Sequence, residues 1–299
     1  EMCGRDWSSD VCSSDLSNPS SPPPYRDTRS AGRIPTYDGG MDLRDRHVVV
    51  TGAAGGIGSA IAKRLNDAGA RLTVSDLHGA DALARDLTDA VSVAADIGTE
   101  SGNIDLIEAA RSTHGEIDLF FANAGVAIGT DPMDAEGTWD TAFAINLHAH
   151  RWAARHLLPS WLERGEGYFC STASAAGLLA QIGSAPYSVT KHGAVAFAEW
   201  LAITYGARGL RVSCLCPQGV NTNMLNSDVA GGGGGDVVRA VGSVLEAEEG
   251  AEVALAAATK DLERLPGEAA DLLYHLLVLL ADAGLSPEDV YAVLRQRQG

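Results

Sequence analysis

From residue 46 the chain alternates short, β-branched apolar runs with longer segments in which apolar residues recur every three or four positions. The apolar runs are RHVVVT (46–51), ARLTVSD (70–76), AVSVAAD (90–96), IDLFFAN (117–123), GYFCSTAS (167–174) and LRVSCLC (210–216). Runs of this length, bounded by Gly, Asp or Asn, predict strands. The intervening segments predict helices near 57–68, 99–114, 139–164 and 187–207, each long enough for a right-handed crossover between parallel strands. This alternation predicts an α/β fold, a Rossmann-type doubly wound parallel sheet with helices on both faces.

Outside this region the pattern fails in two ways. Residues 1–40 are rich in Ser, Pro, Asp and Gly, include SSPPP, and carry no apolar period that could offset their ordering entropy, so disorder is expected. Residues 223–243 contain five consecutive glycines (231–235) and read as a flexible loop, and 246–299 read as a helical tail without a strand. The predicted organisation is 1–40, a main domain at 41–245 and a tail at 246–299.

Composition narrows the function. A net charge of −17 repels polyanions, which argues against a nucleic-acid partner. No apolar run reaches the length of a membrane span, and the N-terminus lacks the apolar stretch of a signal peptide. Five cysteines without a CxxC spacing suggest neither a disulfide framework nor a zinc site, and point to a reducing, cytoplasmic compartment.

The first strand runs into TGAAGGIG (51–58) and then into a helix. Gly52, Gly56 and Gly58, with Ile57 between them, would let the backbone approach a pyrophosphate at the positive helix terminus. Asp76 ends the second strand, where a carboxylate can accept hydrogen bonds from both hydroxyls of an adenosine ribose and repel a 2′-phosphate, so the expected cofactor is NAD. Asp96 and Ile97 end the third strand, and Asn123, Ala124 and Gly125 the fourth, at the carboxyl edge where open sheets bind ligands.

Tyr187 and Lys191 are four residues apart and share a helix face, which brings an ammonium beside a phenol that can then exchange a proton with an alcohol or carbonyl. In order and spacing, TGxxxGxG, Asn123-Ala124-Gly125, Asn146-Leu147, Ser174 thirteen residues before Tyr187, and YxxxK resemble the short-chain dehydrogenase/reductase family over about 41–245. The resemblance implies that Tyr187 is the acid/base and that Lys191 binds the nicotinamide ribose and lowers the tyrosine's pKa. It further implies that Ser174 hydrogen-bonds the reacting oxygen, and that Asn146 holds a water linking Lys191 to solvent. Pro217, Val220 and Thr222 match positions that hold the nicotinamide, whereas Gln218 stands where the family mostly has glycine. His148 and His150, with no third ligand in view, read as helix-surface or interface histidines. The implied substrate is a small alcohol or ketone, and the helices at 139–164 and 187–207 are candidate faces for a homo-oligomer.

Two further resemblances lie at the ends. EMCGRDWSSDVCSSDL (1–16) is similar to translated sequencing-adapter DNA. The stretch from Ala257 to Gln298 resembles the C-terminal part of phosphoribosyl-ATP pyrophosphohydrolase, an all-α enzyme of histidine biosynthesis, whose EExxE and ExxD motifs map to Glu248, Glu249, Glu252, Glu268 and Asp271. Glu249, Glu252, Glu268 and Asp271 are then candidate Mg²⁺ ligands; no metal site is expected in the main domain. The stretch VLEAEEGAEV also resembles a late helix of the dehydrogenase family, so the two resemblances overlap near 246–256. The first helices of the pyrophosphohydrolase have no counterpart, and the dehydrogenase's usual seventh strand is missing from the pattern. Besides hydride transfer, the sequence leaves open Mg²⁺-dependent pyrophosphohydrolysis by the tail, a non-catalytic nucleotide sensor, and a chimeric chain of which one part works.

Overall fold

Strand His47–Thr51 (β1) is buried along its whole length, and its valines alternate between two apolar layers. Val48 and Val50 face one layer and Val49 the other, as the two-residue period of a strand requires. The same alternation splits Leu119 and Phe121 from Phe120, and Tyr168 and Cys170 from Phe169, so a parallel sheet covered on both faces follows from these runs.

The computed structural model describes residues 41–181, 183–226, 238–239 and 244–259. β1 is followed by β2 (Arg71–Asp76), β3 (Ala90–Ala94), β4 (Leu119–Ala122), β5 (Gly167–Thr172) and β6 (Leu210–Leu215). They form one parallel sheet in the order β3-β2-β1-β4-β5-β6, with pairs such as Val50 beside Val74 and Phe121 beside Cys170. The order reverses between β1 and β4, and that switch point opens the crevice at the carboxyl edge.

Helices α1 (Gly56–Asp67) and α2 (Ala80–Asp86) cover one face through Ile61, Leu65 and Leu83. The other face carries α3 (Glu100–His114), α5 (Ala149–Arg164) and α6 (Ala185–Tyr205), which contribute Leu106, Ile107, Leu157, Trp161 and Leu201. Large apolar side chains buried in this way contribute roughly 1.5–3 kcal/mol each. Gly167 is fixed by this packing, since a Cβ there would lie 2.3 Å from the Trp161 ring.

The structure departs from the sequence expectations at several points. Helix α2 fills a stretch left unassigned, because seven residues with only Ala80 and Leu83 buried carry little periodicity. The helix predicted at 139–164 starts earlier, at α4 (Glu136–Phe143), and passes through a π-helical turn (Ala144–His148) before α5. Within the expected loop 223–243, Asn223–Asn226 form one helical turn, α7; most of its remainder and the glycine run lie outside the described residues. The last described helix, α8 (Ala247–Thr259), assigned to the tail on sequence, packs Ala247, Ala251 and Ala254 into the same apolar layer as α1. Val220 and Leu245 make one parallel bridge just ahead of it. Residues 1–40 and 260–299, with Glu268 and Asp271, lie outside the described residues.

His47 is fully buried at the start of β1, with Nδ1 3.0 Å from the Gly115 carbonyl and Nε2 3.0 Å from Thr73 Oγ1. Burial holds its pKa down at about 4 against an ordinary 6.5, and burial likewise holds the enclosed His150 at about 3. Below pH 6.5 the unfolded chain therefore takes up protons that the folded chain refuses. These histidines contribute stability that is complete above pH 6.5 and is lost as pH falls towards 4. Denaturant unfolding should show a loss on the order of 2 kcal/mol per histidine between pH 6.5 and 5. His47→Gln should make that slope shallower; an unchanged slope in the variant contradicts the assignment.

Candidate active site

The crevice at the switch point is a cleft of about 330 Å³, within the range of small-ligand sites. Its walls include Gly52, Gly56, Ile57, Gly58, Asp76, Asp96, Ile97, Asn123, Ala124, Gly125, Ser174, Tyr187, Lys191, Pro217, Val220 and Thr222. Every cofactor-binding residue expected from sequence thus meets in one cleft. Asn146 is brought beside it but stands fully buried behind the wall.

The glycine loop is shaped for close backbone approach. Gly52 has φ +65°, and a Cβ there would lie 2.7 Å from Ala124 Cα. A Cβ on Gly58 would come within 2.2 Å of the Gly52 carbonyl oxygen, and one on Gly56 within 2.7 Å of Thr222 Cγ2. The first turn of α1 contains no acidic side chain, so its free N–H groups present an uncompensated positive end to the cleft. This cradle fits a dinucleotide pyrophosphate.

Asp76 is oriented by the main chain, accepting Ala54 N–H at 3.0 Å through Oδ2 and Leu77 N–H at 2.8 Å through Oδ1. Asn123 ties β4 to the loop by donating through Nδ2 to the Thr51 carbonyl at 3.0 Å, while Thr51 Oγ1 accepts the N–H groups of Asn123 (3.0 Å) and Ala124 (3.2 Å). Thr51 opens the TGxxxGxG motif, but the sequence assigns its hydroxyl no role, because a hydroxyl that serves only the backbone carries no chemical signature of its own.

Lys191 is almost fully buried and donates from Nζ to the Thr172 carbonyl at 2.9 Å. Burial lowers its pKa to about 8, against the opposing pull of Cys214 and Cys216. Its ammonium lies 5.6 Å from the centre of the Tyr187 ring. Gly125 makes room for it, because a Cβ there would lie 3.2 Å from Nζ. Burial raises the pKa of Tyr187, and a hydrogen bond from Ser174 opposes that rise. Lys191, expected from the resemblance to lower this phenol, is brought beside its ring. Ser174 Oγ also accepts Ala176 N–H at 3.1 Å and so caps the short 3₁₀ turn Ala175–Gly177.

Asn146 sits in the π-helical turn with its side chain fully engaged. Its Oδ1 accepts Val126 N–H at 2.8 Å, and its Nδ2 donates to Val126 O at 2.9 Å and to Thr190 Oγ1 at 3.1 Å. Its side chain therefore clamps the segment after β4 onto α6. His150, expected on a helix surface or interface, is instead a core residue with Nδ1 3.0 Å from Ser171 Oγ, because the π turn rotates it onto the sheet. His148 stays part-buried between the rings of Phe143 and Trp152. Among the described residues, no group of three or more His, Cys, Asp or Glu is placed to hold a metal ion. Nor is any helix among them long and apolar enough to cross a membrane.

A family profile described as short chain dehydrogenase matches residues 46–231, and one described as phosphoribosyl-ATP pyrophosphohydrolase matches residues 243–298. The chain belongs to the short chain dehydrogenase family. It is 34% identical over 203 residues to 1-deoxy-11-beta-hydroxypentalenate dehydrogenase of Streptomyces avermitilis, covering 64% of this chain and 74% of that one. Against cis-4-hydroxycyclohexanecarboxylate dehydrogenase of Sinomonas cyclohexanicum it is 32% identical, covering 62% and 78%. The fold is similar to a 3-ketoacyl-(acyl-carrier-protein) reductase from Brucella melitensis solved with NADH, with TM-score 0.66, 27% identity, and coverage of 72% of this chain and 90% of that one. The dehydrogenase match ends before α8, whereas the pyrophosphohydrolase match includes it.

Proposed function

We propose that this short-chain dehydrogenase transfers a hydride between NAD and a secondary alcohol or its ketone, with Tyr187 as the acid/base. The observation that carries the reading is the meeting of Ser174, Tyr187 and Lys191 in the same cleft as the glycine loop. NAD, when bound, supplies the acceptor for the alcohol's hydride. Ser174 orients the substrate oxygen and Tyr187 takes its proton. Lys191, held by Thr172, keeps a positive charge beside the phenol as that proton moves. The names of the two relatives, a hydroxypentalenate and a hydroxycyclohexanecarboxylate dehydrogenase, support a secondary alcohol.

Asp76 supports NAD over NADP. Its carboxylate is held at the cleft wall by two main-chain N–H groups, where a 2′-phosphate would meet like charge, and the next residues, Leu77, His78 and Gly79, include no Arg or Lys. The NADH in the Brucella reductase agrees with this choice.

The match over 243–298 favours a second reading, pyrophosphohydrolysis by the tail. We infer that the segment lacks this activity on its own. Glu252 is spent on an ion pair with Arg64 of α1, and Glu249 Oε2 accepts Glu246 N–H at 2.7 Å. On this reading the dehydrogenase unit runs through α8, and the boundary falls after Thr259.

Three outcomes follow. Titration should give tighter binding for NAD than for NADP, and Asp76→Ala with Leu77→Arg should narrow the gap by about 1–3 kcal/mol; equal affinities in the parent remove Asp76 from this role. Tyr187→Phe should cut NAD-dependent alcohol oxidation by about 10²–10⁴ while NAD affinity stays within a few-fold, and a variant that keeps more than about a tenth of parental turnover contradicts the acid/base assignment. Incubation with phosphoribosyl-ATP and Mg²⁺ should release no pyrophosphate; release abolished by Glu252→Gln would instead make the chain bifunctional.

A further inference from the structure

Behind Lys191, where β6 leaves the sheet, two thiols stand together that the dehydrogenase chemistry does not use. Cys214 and Cys216 are two residues apart and therefore on one side of the strand, with their sulfurs 3.9 Å apart. Both are partly exposed, unlike the buried Cys170 on β5. Among the described residues β6 pairs with β5 alone, so its other edge has no strand across it.

The surroundings make the two sulfurs unequal. The hydrogen bond with Cys216 holds the Cys214 thiol below its ordinary range against burial, helped by the Ser171 hydroxyl, the Lys191 ammonium and the Ala173 N–H. Cys216 is pushed up by the same pairing and by burial, and its thiol donates towards the Cys214 carbonyl, 3.9 Å away. One sulfur is thus prepared as a nucleophile and its neighbour as the thiol that follows.

The pair is also tied to the catalytic serine. Ala173 N–H donates to the Leu215 carbonyl at 2.8 Å, and Ala175 N–H donates to the Pro217 carbonyl at 2.8 Å. The residues on either side of Ser174 therefore hang on the three-residue segment that has Cys216 at its centre.

We propose that Cys214 and Cys216 are a peroxide-reactive dithiol whose closure to a disulfide withdraws the support of Ser174. The Cys214 thiolate attacks one peroxide oxygen, the O–O bond breaks, and hydroxide leaves to become water, giving a sulfenic acid. Cys216 then attacks the Cys214 sulfur, the S–O bond breaks, and the second oxygen leaves as water with the Cys216 proton. One hydrogen peroxide is reduced to two waters while the two thiols lose two electrons. The sulfurs must close from 3.9 Å to about 2.0 Å. Two extended residues span roughly 6.6 Å, near the upper limit for bridged Cα atoms, about 6.8 Å. Closure therefore draws Cys216 towards Cys214 and shifts the Leu215 and Pro217 carbonyls that hold the backbone on either side of Ser174. A bond strained in this way is readily reduced, as a reversible modification requires.

The test treats the full chain with hydrogen peroxide, alkylates the remaining thiols, and maps the tryptic peptide 212–239, which contains both cysteines. That peptide should lose two hydrogens and escape alkylation, and dithiothreitol should restore it. Alcohol turnover of the same sample should fall about tenfold or more, the scale of a displaced catalytic group, and recover on reduction. Cys216→Ser should keep parental turnover without peroxide and stop at a Cys214 sulfenic acid that dimedone traps. The exposed Met133 serves as an internal gauge of dose. Both thiols still alkylatable when Met133 is fully oxidised would overturn the proposal, and a disulfide that leaves turnover unchanged would overturn its link to Ser174. The peptide map reads the bond whether or not the chain oxidises an alcohol, so failure here is separable from failure of the proposed activity.

Discussion

Burying the Lys191 ammonium sets the terms for the rest of the site. A cation taken out of water costs several kcal/mol unless it is paired or hydrogen-bonded, and here the ammonium donates to the Thr172 carbonyl. That bond holds the head group at the carboxyl end of β5. Gly125 leaves room for it, since a Cβ there would crowd both Nζ and Asn146 Oδ1 at 3.2 Å, and Asn146 holds the chain after β4 so that Gly125 stays in position. The central strands, the π turn and α6 therefore meet around one charge, whose pKa burial lowers.

The sheet shows why much of this was legible in the amino-acid order. Six parallel strands buried on both faces need uninterrupted apolar runs, and each run is visible, although the observed strands are trimmed at their ends. The glycine loop is legible because only glycine tolerates the approaches of 2.2–2.7 Å that its Cβ atoms would make. Tyr187, Lys191 and Ser174 are legible through spacing on one helix and its preceding strand.

What escaped sequence reading are features carried by backbone or by small residues. The Thr172 carbonyl is itself a main-chain group and the Thr51 hydroxyl serves main-chain groups, which any residue order supplies. Helix α8 is only half legible: it joins the core through three alanines with Val253 and Leu255 packed beside them, a weak apolar signal, while its glutamates resemble a metal motif. The partnership of Glu252 with Arg64, 188 residues away, is visible only once both helices lie on the same face of the sheet. His150 looks like a surface histidine until the helix phase is known.

That phase follows from the π turn. Ala142 and Trp161 both face the interior, yet they are nineteen residues apart, one more than the eighteen that five regular turns span. The surplus residue is absorbed between Ala144 and His148, where each turn takes one residue more than usual. Without it, a helix that keeps Ala142 inward would carry Trp161 about 100° around its axis and away from Gly167. The segment therefore acts as a vernier between the catalytic edge of the sheet and the opposite end of its core, and its length can neither grow nor shrink by one residue without one of the two losing register.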